Sequence, residues 1–151
     1  GYDKKRRILN LENKPQNLIP IVMECAAGIR RSMQIFGDDY NTPDGTCLRD
    51  YIHVTDLAKA HIKALKKIYD NNTTFINLGT GYTHSVYDVI RTVEKITSEK
   101  INYSVTNRRK GDPAKLYSSS SFAKKSLDWI AKNSDLENII KTTWSIYKTR
   151  V

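Results

Sequence analysis

Cysteine is scarce in this sequence: Cys25 and Cys47 are the only two in 151 residues. They do not form a Cys-x-x-Cys pair, and the three histidines, His53, His61 and His84, are scattered, so the ligand spacing of a zinc site is absent. Two lone thiols suit a reducing compartment, where cysteine behaves as a small hydrophobic residue. We therefore expect a cytoplasmic protein without bound zinc.

Long apolar segments are missing as well. No run of apolar residues approaches the roughly 18 that span a membrane, so we expect no membrane association. Residues 1–7 are polar and basic with no apolar stretch behind them, which argues against a secretory signal. The sequence begins with Gly1 rather than methionine, and we expect the chain to be part of a longer protein.

Acidic residues are outnumbered by basic ones, 16 Asp and Glu against 25 Lys and Arg, which gives a net charge of +9. Such an excess can indicate a nucleic-acid partner. Here the lysines are spread over nearly every segment, and only residues 4–7 form a short basic cluster. Aromatic residues do not alternate with a basic run, as a base-stacking surface requires. We predict a lysine-rich solvated surface and no nucleic-acid partner.

Apolar residues recur at helical and strand spacing after residue 16, whereas residues 1–16 are polar and are predicted to form a leading loop. The strand candidates are residues 33–36, 51–54, 75–78 and 101–105. Five helices are predicted. The first ends before Gly28, and the second begins at the caps Thr55 and Asp56. The third begins at the capping pair Ser85 and Asp88, the fourth covers residues 122–127, and the fifth begins at the capping pair Ser134 and Glu137. The second helix carries Leu57, Ala60, Ala64, Leu65 and Ile68 on one face.

Strands that alternate with helices define an α/β fold, and residues 17–151 make up one domain. A loop rich in Asp, Asn, Pro and Gly, residues 38–45, interrupts the alternation. His53 has no carboxylate or nucleophile at useful spacing and is interpreted as structural. Gly79 and Gly81 are only a weak sign of a phosphate-binding loop, because the third glycine of that motif is absent.

The longest motif covers residues 35–54 and reads Ile-Phe-Gly-Asp-Asp-Tyr-Asn-Thr-Pro-Asp-Gly-Thr-Cys-Leu-Arg-Asp-Tyr-Ile-His-Val. Three shorter motifs accompany it in order: Asn-Leu-Ile-Pro at 17–20, Asn-Leu-Gly-Thr-Gly at 77–81, and Arg-Arg-Lys-Gly-Asp-Pro-Ala at 108–114. With these motifs the chain resembles the UDP-galactose/UDP-glucose 4-epimerases of the extended short-chain dehydrogenase/reductase family over residues 16–150. Related sugar-nucleotide dehydratases share the end of the long motif but reach it through a shorter loop.

The resemblance implies a site for the diphosphate of a UDP-sugar. Arg49 and Arg109 would hold it, and the planar guanidinium is well suited to paired phosphate oxygens. Asn17 and the backbone of Leu18 would contact the diphosphate or the adjoining sugar. Asp112 would accept a hydrogen bond from a ribose hydroxyl. Outside the motifs, Asn17 reads as a helix N-cap and Asp112 as a turn residue, and both alternatives stay open.

The resemblance also implies the walls of the nucleoside and sugar pockets. Phe36, with the strand backbone near Gln34, would line the uracil slot; a core position for Phe36 is the alternative. Leu116 would line the sugar pocket, where a side chain smaller than tyrosine leaves room for an N-acetyl group. The alternative is that Leu116 belongs to the core and that Tyr117 faces the sugar.

Two motifs that a complete enzyme of this kind needs are absent. The sequence contains no Gly-x-x-Gly-x-x-Gly loop for a dinucleotide, and none of its nine tyrosines is followed four residues later by lysine. The resemblance implies that NAD and the catalytic tyrosine belong to an amino-terminal half that this chain lacks. The expected architecture is thus a substrate-binding lobe with a partial NAD-binding Rossmann-type fold. Its strand and helix at about 75–97 would complete the missing Rossmann sheet.

The activity implied for the whole enzyme is the interconversion of UDP-glucose and UDP-galactose, through NAD-dependent oxidation and reduction at sugar carbon 4. The resemblance also implies a homodimer. The chain alone is expected to be inactive. Two alternatives stay open: an epimerase for another UDP-sugar, such as an N-acetylhexosamine or a pentose, and a truncated remnant without catalytic function.

Overall fold

The computed structural model describes residues 1–67 and 74–150. Within them the helices are α1 (Leu18–Ala26), α2 (Val54–Leu65), α3 (Val86–Thr97), α4 (Ser121–Leu127) and α5 (Leu136–Tyr147), followed by a 3-10 turn at Lys148–Arg150. The strands are β1 (Met33–Phe36), β2 (Leu48–Arg49), β3 (His84–Ser85), β4 (Tyr103–Thr106) and β5 (Lys115–Leu116). None of the helices in these residues has the length and apolar content needed to cross a membrane. The predicted α/β class is confirmed, and residues 1–16 contain no helix or strand, as predicted.

The strands form two small sheets. In the first, β1 lies parallel to β4, with Met33 opposite Tyr103 and Phe36 opposite Thr106. In the second, the order is β3-β2-β5, and β2 is antiparallel to β3 and parallel to β5. Arg49 therefore has a strand partner on each side, and its place in β2 is fixed from both directions.

The main core lies where α1, α3 and α5 pack against one another and against β1. Its fully buried members include Val22, Ile35, Val89, Val93 and Ile140. A smaller cluster around Trp129 joins α2 to α4, and the indole N–H of Trp129 donates to the carbonyl of Asp56 at 2.8 Å. The main core thus supports β1 and the start of α1.

Two predicted helix ends are confirmed. Ser85 and Asp88 form a reciprocal capping box at the start of α3, with the Ser85 hydroxyl 2.9 Å from the Asp88 amide. Helix α1 ends at Ala26, and Gly28 follows with φ +68°, a conformation that glycine adopts without the strain other residues incur. The helix predicted at 122–127 is α4. Ile68, assigned to the face of α2, lies outside the described residues.

The strand predicted at residues 51–54 is wrong. Strand β2 lies earlier, at Leu48–Arg49, where it has pairing partners on both sides, and Val54 is already the first residue of α2. The N-cap of α2 is His53 rather than Thr55 or Asp56, because the imidazole Nδ1 accepts from the Thr55 amide at 3.0 Å.

The structural role predicted for His53 is confirmed. Besides capping α2, the buried ring lies with Nε2 3.0 Å from the Thr142 hydroxyl of α5. Burial lowers the pKa of His53 to about 4.

The capping pair predicted at Ser134 and Glu137 is also wrong. The N-cap of α5 is Asp135, whose carboxylate accepts from the Asn138 amide at 3.0 Å. The Ser134 hydroxyl points instead into the protein, where it donates to the buried Asp56 carboxylate at 2.8 Å and accepts from the His53 amide at 2.9 Å. A buried carboxylate needs such donors, and this need takes Ser134 away from the helix end.

Residues 75–78 do not form the predicted buried strand. They carry no helix or strand, and Phe75 is 91% exposed, while Ile76 and Leu78 pack against the Trp129 cluster. A strand needs a hydrogen-bonded neighbour, and the described residues of this chain offer none at this position.

The strand predicted at residues 101–105 is confirmed as β4, although it begins only at Tyr103. Ile101 is buried, whereas Tyr103 and Val105 are exposed by 45% and 43%. Among the described residues β4 pairs with β1 alone, and the Tyr103 ring meets only the edge of the Tyr87 ring, 5.8 Å away between centroids. Side chains on this face therefore have little to cover them.

Candidate functional site

A cleft of about 1040 Å³ opens beside β1, β2 and the start of α1. Seven of the eight predicted site residues line it: Asn17, Leu18, Gln34, Phe36, Arg49, Arg109 and Asp112. They come from four separate parts of the sequence, so the fold brings together residues that the motifs placed up to 95 positions apart (17 to 112).

Arg49 is held in place at the edge of β2. Its Nη1 donates to the carbonyls of Leu48 and Pro113, both at 2.9 Å, and its Nη2 lies 3.5 Å from a carboxylate oxygen of Asp112. The side chain is 21% exposed. Because a guanidinium has five N–H donors, this arrangement fixes the group and leaves donors for an anion in the cleft.

Arg109 lies in the segment between β4 and β5 and also lines the cleft. Its guanidinium carbon lies 3.8 Å from the centroid of the Phe36 ring, within the range of a cation–π contact. Phe36 is the last residue of β1 and is only partly buried. The face of an aromatic ring and a guanidinium thus lie together at the position predicted for uracil and phosphate.

The neighbouring Arg108 has a different task. Its Nε donates to the Asp39 carboxylate at 2.7 Å, its Nη2 donates to the Asp39 carbonyl, and its guanidinium carbon lies 4.2 Å from the centroid of the Tyr40 ring. The hydrogen bond from Arg108 lowers the pKa of the Asp39 carboxyl group. Gly37 allows this approach, since a Cβ there would lie 2.6 Å from Arg108 Cγ. Arg108 therefore fixes the loop 38–45 and leaves the cleft to Arg109.

Asn17 and Leu18 lie at the beginning of α1. Asn17 occupies the N-cap position, but its side chain makes no capping hydrogen bond. Its amide is exposed and borders the cleft. The side chain is thus available to a ligand, which favours the binding interpretation over capping alone.

Gln34 and Leu116 differ in their relation to the cleft. Gln34 is exposed on β1 between the buried Met33 and Ile35, and it lines the cleft. Leu116 does not line it. Leu116 lies on β5, opposite Arg49 in the parallel pairing, and is 58% exposed. Its place in a sugar pocket stays a prediction.

Among the cleft residues that the sequence reasoning missed are Cys47 and Tyr51. They stand two residues before and two residues after Arg49, and alternation along an extended chain places such positions on one face. Burial raises the pKa of the Tyr51 hydroxyl. The signal was therefore present in the spacing, once Arg49 had been assigned to the cleft.

The glycine turn 79–81 does not present free amides to a phosphate group. The amides of Thr80 and Gly81 both donate to the carboxylate of Asp50. These two amides of the turn are therefore not available to a dinucleotide phosphate. No group of three or more potential metal ligands occurs in the described ranges either.

Comparisons with known proteins found similar sequences and similar structures. The sequence model of the NAD dependent epimerase/dehydratase family matches residues 6–79. The UDP-glucose 4-epimerase of Halalkalibacterium halodurans is 42% identical over 149 residues, which are 98% of this chain and 45% of that protein. The chain thus spans less than half the length of this curated relative.

Solved structures are similar over the same part. UDP-glucose 4-epimerase from Bifidobacterium longum in complex with NAD+ and UDP superposes with a TM-score of 0.85 at 40% identity, over 92% of this chain and 41% of that one. The UDP-Glc/GlcNAc 4-epimerase of Campylobacter jejuni gives a TM-score of 0.79 at 39% identity, over 93% of this chain and 43% of that one.

Proposed function

We propose that this chain belongs to the NAD dependent epimerase/dehydratase family and is the UDP-sugar-binding part of a UDP-glucose 4-epimerase. The whole enzyme interconverts UDP-glucose and UDP-galactose in galactose metabolism. NAD is held by an amino-terminal part outside this sequence, in agreement with the lack of a fitting dinucleotide loop here. We further propose a cytoplasmic homodimer; the two free thiols, Cys25 and Cys47, support the location.

The observation that carries this proposal is the pairing of two arginines with an aromatic wall in one cleft. Arg49 and Arg109 bind the diphosphate, and Phe36 packs against uracil. The guanidinium of Arg49 is oriented before a ligand arrives by the carbonyls of Leu48 and Pro113. Such preorganisation lowers the entropy lost on binding.

The remaining polar groups are assigned by their place around that cleft. Asp112 contacts Arg49 at its edge and accepts from a ribose hydroxyl. The Asn17 amide, which makes no cap, donates to a diphosphate oxygen or to the adjoining sugar. Gln34 lies on β1 beside the uracil position, where backbone amides read the base.

Calorimetric titration of the 151-residue chain tests the proposal. UDP is expected to bind more tightly than uridine by about tenfold or more, because hydrogen bonds to charged phosphates are stronger than neutral ones. The advantage of UDP is expected to shrink as salt is added. Equal affinities for the two ligands, or no UDP binding, would contradict the assignment.

The same preparation tests whether catalysis needs residues that this chain lacks. With NAD and UDP-galactose supplied, the chain is expected to form no UDP-glucose above background, because the dinucleotide loop and the catalytic tyrosine are missing from it. Turnover that survives repurification would show that the chain contains a complete active site and would overturn the proposal.

A further inference from the structure

The carboxylate of Asp50 is bound by a short turn of the chain's own backbone. The Thr80 amide lies 2.9 and 3.1 Å from its two oxygens, the Thr80 hydroxyl donates at 2.6 Å, and the Gly81 amide donates at 3.2 Å. Three donor groups from two consecutive residues therefore converge on one anion. This is the arrangement by which backbone turns bind phosphates and other anions, filled here by a side chain.

The turn is shaped for this contact. A Cβ on Gly79 would lie 2.3 Å from the carbonyl oxygen of Ser118 and 2.8 Å from Asp50 Oδ2, so no larger residue fits. Gly81 adopts φ +79°, which glycine tolerates and other residues adopt only under strain. Gly79 is thus explained by the approach of Ser118 and Asp50, and Gly81 by its backbone conformation.

Asp50 directly follows Arg49 at the end of β2. Successive side chains along an extended chain point to opposite faces, so the carboxylate is turned away from the cleft that Arg49 lines. The Asp50 amide donates to the Leu116 carbonyl at 3.2 Å, which extends the pairing of β2 with β5. The turn 79–81 leads into β3, the other partner of β2. One carboxylate therefore ties β2 to the segment that precedes its second neighbour.

We propose that Asp50 is a positioning residue for Arg49. Its negative charge is satisfied by the turn 79–81, so it does not pair with the adjacent guanidinium, and its hydrogen bonds hold β2 where Arg49 faces a diphosphate. The identity of the ligand in this inference rests on the proposed function. The orientation of the Arg49 guanidinium does not, because it can be measured on the chain without a ligand.

Three variants of the 151-residue chain test the inference. Asp50→Asn keeps the shape but points an NH₂ group at amide donors. Thr80→Val removes one donor and keeps the backbone contacts, so it remains informative if Asp50→Asn does not fold. Asp135→Asn is the matched control, because it removes one carboxylate that accepts a backbone amide at a helix end remote from the cleft.

The binding readout contrasts UDP with uridine. Asp50→Asn is expected to weaken UDP binding by about tenfold and Thr80→Val by about threefold, with uridine affinity unchanged in both. In an Arg49→Ala background Asp50→Asn is expected to have no further effect on UDP. Asp135→Asn is expected to change neither ligand. Equal loss of UDP and uridine affinity, or full loss in the Arg49→Ala background, would show a general structural role and overturn the inference.

A second readout needs no ligand. Hydrogen exchange of the Arg49 guanidinium, followed by nitrogen-edited NMR, is expected to be slow in the parent chain and at least about tenfold faster in Asp50→Asn, since the bonds to Leu48 and Pro113 loosen. Unchanged exchange would overturn the inference. If the parent chain bound no UDP, the proposed function would be wrong, and the exchange rates alone would decide the role of Asp50.

Discussion

The guanidinium of Arg109 covers the ring of Phe36 at 3.8 Å, in the position predicted for uracil. Under the proposed function, a base that stacks on this face of the ring would displace the guanidinium, which could then bind the diphosphate. Arg49 shows the opposite behaviour, since two backbone carbonyls already fix its orientation. The proposed function thus implies that Arg49 is oriented before the ligand binds, whereas Arg109 moves from the Phe36 ring on binding.

Replacing Arg49 or Arg109 by alanine is expected to weaken UDP binding by about 1.5–3 kcal/mol, the usual contribution of a hydrogen bond to a charged group. Arg49→Lys is expected to restore only part, because an ammonium cannot bind two oxygens in a fork. Uridine affinity distinguishes the two residues. Arg109→Ala uncovers the Phe36 ring, so the affinity for uridine is expected to stay the same or to rise. Arg31→Ala, an exposed arginine outside the cleft, is the control. Calorimetry that finds UDP affinity unchanged in both alanine variants would refute the assignment.

Gly45 and Gly28 are expected to differ in their tolerance of alanine. Both have positive φ, +81° and +68°, but a Cβ on Gly45 would lie 1.8 Å from the Asp38 carbonyl oxygen, whereas that of Gly28 meets nothing within 4 Å. Urea unfolding is expected to show a loss of about 1–2 kcal/mol for Gly28→Ala, from backbone strain alone. Gly45→Ala is expected to lose more, because the loop 38–45 must also shift. Equal losses would contradict the geometry of that loop.

Acid is expected to destabilise the chain through His53. Burial lowers its pKa from 6.5 to about 4 in the folded state, so the unfolded chain binds the proton first as the pH falls. The free energy of unfolding should therefore decrease between pH 6.5 and 4, by on the order of 3 kcal/mol from this group, and level off below pH 4. His53→Asn keeps a capping side chain and lacks the imidazole. Because burial also lowers the pKa of the Gly1 amino group, to about 6, the comparison is the difference between variant and parent. If the free energy of unfolding had the same pH dependence in the variant and the parent, His53 would not be the cause.

Sugar specificity in the whole enzyme is expected to depend on Leu116. If this side chain borders the sugar, the enzyme should accept UDP-N-acetylglucosamine as well as UDP-glucose. Leu116→Tyr should then abolish the first activity and spare the second, because the ring occupies the space of the acetamido group. Tyr117→Phe is the control for a slip of one residue. Activity on the acetylated sugar that survives in Leu116→Tyr would exclude this position as the determinant.

Part of the cleft was predictable, because six of the predicted residues that line it belong to the quoted motifs: Asn17, Leu18, Phe36, Arg49, Arg109 and Asp112. The family resemblance assigned Arg49 and Asp112 to one site, and the structure brings them within 3.5 Å of each other. The family resemblance selected Arg109 from the adjacent pair but assigned no role to Arg108. The sequence shows two identical side chains, and only the position of Asp39 and Tyr40 determines which one ties down the loop.

Elements whose partners lie elsewhere were the least predictable. Residues 75–78 have the composition of a buried strand, but burial depends on a neighbour, and Phe75 is exposed for want of one among the described residues. Ser134 has the residue type of a helix cap, yet the buried carboxylate of Asp56 is the stronger demand on its hydroxyl. Local propensity failed at residues 75–78 because a long-range partner is lacking, and at Ser134 because a long-range hydrogen bond competes with capping.

Because Arg108 and Arg109 have separate roles, substitutions at these adjacent positions would change the rigidity of the loop 38–45 and the affinity of the cleft independently. Substitutions at Arg108 change how firmly the loop 38–45 is fastened, through Asp39 and Tyr40, without removing a donor from the cleft. Substitutions at Arg109 alter the cleft while the loop keeps its anchor. In a library randomised at both positions, changes at Arg108 would therefore alter thermal stability and changes at Arg109 would alter ligand binding. Selection for one of these properties would not constrain the other.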